Sequence, residues 1–367
     1  MTEVNSTTSH LSVAMTTEEV DDIYSTHGSR MTSPVSSDFK FYFKCAVIFI
    51  GAVGMATNAL VLYALVASKQ HKKHVLIVNQ NALDLFNSFF LVINFVVKLL
   101  NLRLTGTLGY WLCMLILSEY FVTLGNTSSI VNLAAISIDR YLKVVHHRWS
   151  KKRLRPWMIY SVMAFAWLVA IVHMTTQVFE TTRVVDGVCY GHAFFKSRSH
   201  QVASTVFYVS AYYVVIIAIF IFCYGRILMT IRRQASLMAA HSDAGAGPST
   251  AQTQSSQMQS SVIKTKTQSS QMQSTVIKTM IFVCAFFAVA RLPTMIYVII
   301  LTLNPGTLLL DERYYVSVFI SYLYTCTNPF IYAVKLDPVR QILVGMIPRK
   351  RSSVQSAQIP WTTSRPT

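Results

Sequence analysis

The sequence predicts an all-α membrane protein: a bundle of seven transmembrane helices, with a short amphipathic helix on the membrane surface after the seventh. Three observations predict it. Apolar runs of about 20 residues recur along the chain, the length a helix needs to cross hydrocarbon. The composition is 53% hydrophobic and 13% charged, against about 25% charged in an average soluble domain. Lys and Arg crowd the segments after the first, third, fifth and seventh runs, which puts those segments in the cytosol, the N-terminus outside and the C-terminus inside. The expected location is the plasma membrane.

Composition also excludes. The 367 residues would suffice for two soluble domains, and the formal charge of +17 could suggest nucleic acid. The positive charge lies instead in short segments between apolar runs, where it sets orientation and meets anionic lipid. Six cysteines occur without a C-x-x-C pair or a Cys/His cluster of metal spacing. The first 40 residues contain no apolar signal region, so the first span is expected to serve as the insertion signal.

In chain order, residues 1–40 are Ser/Thr-rich and acidic, an extracellular segment expected to be disordered. Asn5-Ser6-Thr7 there is a glycosylation sequon; Asn126-Thr127-Ser128 also fits but lies inside an apolar run. Residues 41–334 hold the seven spans. The first, Phe41 to Ala67, carries Gly51, Gly54 and Asn58, groups suited to close helix contact. The second, Val75 to Leu100, carries Asn79, Asn81 and Asp84, with Lys98 and Arg103 at its outer end. The third, Trp111 to Leu142, is too long for a perpendicular crossing, so it should tilt. The fourth is Trp157 to Phe179, and the fifth, Val202 to Ile231, follows a loop with Asp186 and Cys189.

Residues 232–273 are low in complexity and read as a flexible cytoplasmic loop, with QSSQMQSSVIKT at 254–265 nearly repeated as QSSQMQSTVIKT at 268–279. One repeated pair is a local duplication, not a repeat fold. The sixth span, Val276 to Leu303, contains Pro293, which should kink it. The seventh is Tyr314 to Val334. Residues 335–347 space Leu336, Val339, Ile342, Leu343 and Met346 as an amphipathic surface helix, and residues 348–367 form a Ser/Thr-rich tail.

The densest signal is Asp139-Arg140-Tyr141, an acid and a fixed cation closing the third apolar run just before the basic segment Lys143 to Arg155. Charges are expensive in hydrocarbon, so such a pair marks function or a membrane edge. With Asn58, Asn81-Ala82-Leu83-Asp84-Leu85, Cys113 and Cys189, Trp167, Tyr224, Phe287, Pro293 and Asn328-Pro329-Phe330-Ile331-Tyr332, the chain from Phe41 to Ile347 resembles a rhodopsin-like (class A) G-protein-coupled receptor. The motifs stand in the family's order, each in its proper span.

The resemblance implies a mechanism and a set of partners. Asp139 would hold Arg140 at rest. The sixth helix would swing outward about Pro293, and Arg140, with Tyr141, Tyr224 and Tyr332, would meet a heterotrimeric G protein. Arrestin and receptor kinases would engage the Ser/Thr-rich loop and tail. Asn58, Asp84, Ser129, Phe287, Arg291, Pro293, Asn328 and Pro329 would form the activation core, and Cys113 would bridge to Cys189. No cofactor or enzymatic activity is implied.

Several positions depart from the family pattern. Cys113 to Arg140 is two residues too long, which calls for a bulge or a displaced bridge. The fifth-span proline is missing, with Ile216 near its place, and Gln273 replaces the acid at the base of the sixth helix, which removes the carboxylate that would lock Arg140 there. Cys-Trp-x-Pro becomes Ala290-Arg291-Leu292-Pro293. Arg291 near mid-membrane needs a partner: either Asp84, directly or through water, displacing the sodium ion that family members hold with Ser129 and Asn328, or an anionic ligand group, or water and carbonyls.

Val122 stands where amine receptors carry an Asp, and the seventh span has no lysine for a retinal Schiff base. A peptide or small polar ligand remains, with Glu119, Val122, Tyr212, Arg291, Tyr297 and Tyr322 as candidate pocket residues, although tyrosines in spans more often pack or anchor the interface. The rival reading is a transporter or channel using Asp84 and Arg291; it would want more midplane charges and matched halves. A membrane enzyme is disfavoured by the absence of H-E-x-x-H, G-x-S-x-G and paired intramembrane aspartates.

Overall fold

A computed structural model describes residues 35–69, 71, 75–153, 155–191, 195–244, 255–304 and 312–335, and residues 340, 342 and 345; in 238–244, 255–276 and 330–335 it describes the backbone only. Asn5, the tail 348–367 and most of 335–347 lie outside the described residues, as do the side chains of Gln273 and Tyr332.

The first span is α1 (Ser37–Ala67), capped by the Ser36 hydroxyl, which accepts from the Phe39 amide. The second is α2 (Val75–Leu99). Gly51 and Gly54 bring these two together: a Cβ on Gly51 would stand 2.6 Å from Val92 Cγ2, and one on Gly54 would overlap the Ser88 hydroxyl. The fourth span, α6 (Pro156–Thr181), starts on a proline, whose missing N–H costs nothing in a first turn.

The third span differs from the single tilted helix expected. It comprises α3 (Gly106–Leu112), a π-helical turn at Cys113–Leu117, and α4 (Tyr120–Val145), broken at Ser118-Glu119 with Glu119 in the left-handed region at φ 62°. The wide turn and the break take up the two extra residues. The bridge is therefore not displaced: Cys113 and Cys189 are disulfide-bonded, with Cα atoms 5.4 Å apart. Cys45, Cys223, Cys284 and Cys326 are free.

A helix α5 (His147–Arg153) follows the third span. After the fourth comes a hairpin, β1 (Arg183–Val185) against antiparallel β2 (Val188–Tyr190), with Val184 opposite Cys189. Its turn, Asp186-Gly187, has φ of 51° and 76°; Asp-Gly is the composition that paired positive φ values favour. The sequence reading took this stretch as plain loop and missed that signal.

The fifth span runs α7 (Arg198–Val209), a π turn at Ser210–Val214, and α8 (Val215–Ala244), so it widens without a proline. The sixth is α9 (Ser255–Leu303), containing Pro293, and the seventh α10 (Glu312–Lys335), containing Pro329. The backbone is thus helical over most of 232–273, where a flexible loop was expected. The reason is cooperativity: extending a nucleated helix costs little per residue, and 255–276 contains no Gly or Pro to stop it. The Gly- and Pro-bearing stretch falls at 245–248, between the two helices.

Among the described residues, six spans are apolar and long enough to cross a membrane on those grounds alone. The seventh, α10, is more polar because it faces inward, burying Ser317, Ser321, Thr325 and Asn328. The main apolar core lies towards the half that carries Asp139-Arg140-Tyr141, around Leu133, Ile136, Ile227, Met280, Phe287 and Tyr324. A smaller core of Val47, Leu91, Phe95, Val122 and Tyr322 fills the opposite half, on the Cys113 side. Phe49, Phe165, Ile221 and Val289 are exposed on the outward faces, where lipid replaces water and their exposure carries no penalty.

Candidate functional site

At mid-bundle, Asp84 is fully buried. One oxygen accepts from Ser129 Oγ at 2.8 Å, the other from Asn328 Nδ2 at 2.8 Å, and Gln80 Nε2 lies 3.2 and 3.3 Å from the two. Gln80 also bonds Ser129, and its carbonyl accepts from Asn132 Nδ2 at 2.8 Å. Asn132 Oδ1 in turn accepts from Asn79 Nδ2 at 2.9 Å. Asn58 Nδ2 donates to the Thr325 carbonyl at 3.1 Å, joining the first span to the seventh. The expected Asp84, Ser129 and Asn328 do meet. Gln80 and Asn132 went unread, although each is one helical turn from a recognised member, on the same face.

Arg291 takes no part in this network. It makes no ion pair among the described residues, so the direct Asp84–Arg291 pair is corrected: donors from three spans occupy both Asp84 oxygens. Arg291 is 7% exposed, and its Nε and Nη2 have no hydrogen-bond partner. It lies within electrostatic range of Tyr322.

The half of the bundle on the Cys113 side is organised by Glu119. At the break in the third span, its Oε1 meets Lys98 Nζ at 2.5 Å and its Oε2 accepts from the Tyr322 hydroxyl at 2.8 Å. Three spans are tied through one carboxylate, and Lys98 also sits 4.8 Å over the Phe95 ring. Of the candidate pocket residues, Glu119, Val122 and Tyr322 therefore come together, with Arg291 nearby. Tyr297 packs edge-on to Tyr314, ring centroids 5.9 Å apart. Tyr212 is buried in a separate aromatic group, 5.3 Å from His173 and 5.7 Å from Tyr208.

At the Asp139-Arg140-Tyr141 end of the bundle, Arg140 is held only loosely by Asp139. Its Nε is 3.8 Å from Asp139 Oδ2 and lacks a hydrogen-bond partner, whereas Lys143 Nζ, one turn on, approaches that carboxylate to 2.8 Å. Lys143 thus takes the role expected of Arg140, an i,i+4 pairing that sequence reading passed over. Tyr141 bonds His146 Nε2 at 3.0 Å. Tyr224 is buried and accepts from Ser137 Oγ at 3.1 Å, with Cys284 Sγ 3.8 Å away, so the third, fifth and sixth spans meet at its hydroxyl. Phe287 is fully buried against Phe220 and Tyr324.

Residues 57–332 match the family described as 7 transmembrane receptor (rhodopsin family). The chain belongs to this family. Members are membrane-spanning receptors, so this chain is a multi-pass membrane protein of the receptor family. It is 29% identical to the rat (Rattus norvegicus) galanin receptor type 1 over 213 residues, covering 56% of this chain and 59% of that one. It is 27% identical to the Bombyx mori allatostatin-A receptor over 161 residues, 43% of this chain and 41% of that one. The chain thus spans roughly half the length of these relatives. Squid rhodopsin shares the fold at a TM-score of 0.67 and 17% identity, over 86% of this receptor and 87% of that chain.

Proposed function

We propose that the receptor takes an extracellular peptide or small polar ligand into its outer half and, in response, activates a heterotrimeric G protein at its cytosolic end. The carrying observation is the Lys98–Glu119–Tyr322 chain, which joins the second, third and seventh spans through a carboxylate held at a backbone break. A ligand that competes for Glu119 or Tyr322 changes how three spans are tied, which is the differential contact a two-state receptor needs. Val122 in place of an acid disfavours an amine, and relatives named for galanin and allatostatin-A favour a peptide. Asp84 and Arg291 do not meet in a charged path, so a transport reading loses its motivation.

At the cytosolic end the loosely held Arg140 is the group offered to the G protein, released further when the sixth span leaves Tyr224. Arrestin and receptor kinases fit the Ser/Thr-rich segments of the sequence. The test is ligand-stimulated nucleotide exchange on purified G protein by receptor-containing vesicles, screened against a peptide library. Arg140→Ala is expected to abolish exchange with surface expression largely retained, and Arg140→Lys to restore it only in part, because lysine lacks the planar donor fork. Full exchange by Arg140→Ala would overturn the assignment.

A further inference from the structure

Among the described residues, Arg291 is a buried charge that neither the receptor fold nor the network around Asp84 accounts for. Its guanidinium is buried, it cannot shed its charge, and two of its nitrogens have nothing to donate to. The acids inside the bundle are already committed. Asp84 receives Gln80, Ser129 and Asn328; Glu119 receives Lys98 and Tyr322; Asp139 receives Lys143 at the far end. The nearby hydroxyls are committed as well. Tyr322 gives its proton to Glu119, and Thr294 and Ser321 bond each other and the carbonyls of Ser317 and Ala290. Lys98 and Glu119 cancel as a pair, which leaves Arg291 as a positive charge without a counter-ion among the described residues.

A planar fork of N–H donors in a low-dielectric site is matched by an anion with two oxygens in one plane. We propose that Arg291 is the centre of an anion-binding subsite on the floor of the outer half, selective for a carboxylate-type group. Its occupant is either the acid of the entering ligand or a free small anion, and only the first source rests on the function proposed above.

The experiment follows the melting temperature of the detergent-purified, full-length receptor. Bulky gluconate is replaced at constant ionic strength by chloride, formate, acetate, benzoate or hippurate. Readout by melting separates this proposal from coupling: a receptor that fails to signal still reports anion binding. The wild type is expected to show a saturable rise of roughly 2–4 °C in formate and acetate, absent in Arg291→Gln and weakened in Arg291→Lys. A rise extending to benzoate and hippurate assigns the acid of an entering ligand; a rise confined to formate and acetate assigns a free ion, and an equal rise in chloride overturns the carboxylate selectivity. No anion dependence in the wild type overturns the proposal, a result that needs no variant to fold. An undiminished response in Arg291→Gln overturns it equally.

Discussion

Glu119 shows how much one residue can hold. A non-glycine residue in the left-handed region costs about 1–3 kcal/mol, and here that cost is offset because the same backbone break aims the carboxylate at Lys98 and Tyr322. The three side chains should therefore behave as a unit. Glu119→Gln and Tyr322→Phe, made singly and together, are expected to show a coupling of about 1–2 kcal/mol in denaturant unfolding of the purified receptor. Additive effects would mean the hydrogen bond contributes nothing. At this scale the sequence was half legible. Lys98, Glu119, Asp84 and Arg291 are conspicuous as charged groups in apolar runs, but which charge meets which depends on rotations of three helices that no spacing encodes. Asp84 was one of three partners open to Arg291; two neutral amides and a hydroxyl meet Asp84 instead.

At the scale of elements, period and punctuation carried most of the fold. The apolar runs located the spans, and the misreadings arose where local rules compete. The third span has no Gly or Pro at its break, so the π turn at Cys113–Leu117 left only the two-residue excess as its sign. The polar stretch before the sixth span lacks an apolar stripe yet is continuous with the helix of that span. Close packing of the first two spans was legible in Gly51 and Gly54, and it sets a prediction. Gly54→Val must displace Ser88, whose hydroxyl is bonded to the Asp84 carbonyl at 2.7 Å. It is expected to lower stability by about 1–3 kcal/mol through overpacking. Gly225→Ala meets nothing within 4 Å and is expected to be neutral or slightly stabilising. Thermal melting of the two variants beside the wild type checks this, and equal melting points would show that the first two spans can slide apart freely.

For the whole molecule, the ends of the third span set the orientation in the membrane. One end carries Cys113, bridged to Cys189, a bond that persists in oxidising surroundings and is rare in the cytosol. The other carries Asp139, Lys143 and the helix His147–Arg153, with Arg148, Lys151, Lys152 and Arg153 close together. Cationic segments beside spans are retained on the cytosolic side. Redox chemistry and charge, which are independent, thus both favour the topology proposed here, with the Cys113 end outside and, for an odd number of spans, the two termini on opposite sides. An epitope placed at the N-terminus should be detected on intact cells, and one at the C-terminus only after permeabilisation. Asn5→Gln should remove a glycosidase-sensitive shift in mobility. Asn126→Gln should not, because Asn126 is buried in the third span and accepts from Asn87 Nδ2 at 2.9 Å. Detection of the C-terminal epitope on intact cells would invert the topology, and with it the assignment of Arg140 to the G protein and of Arg291 to the outer pocket.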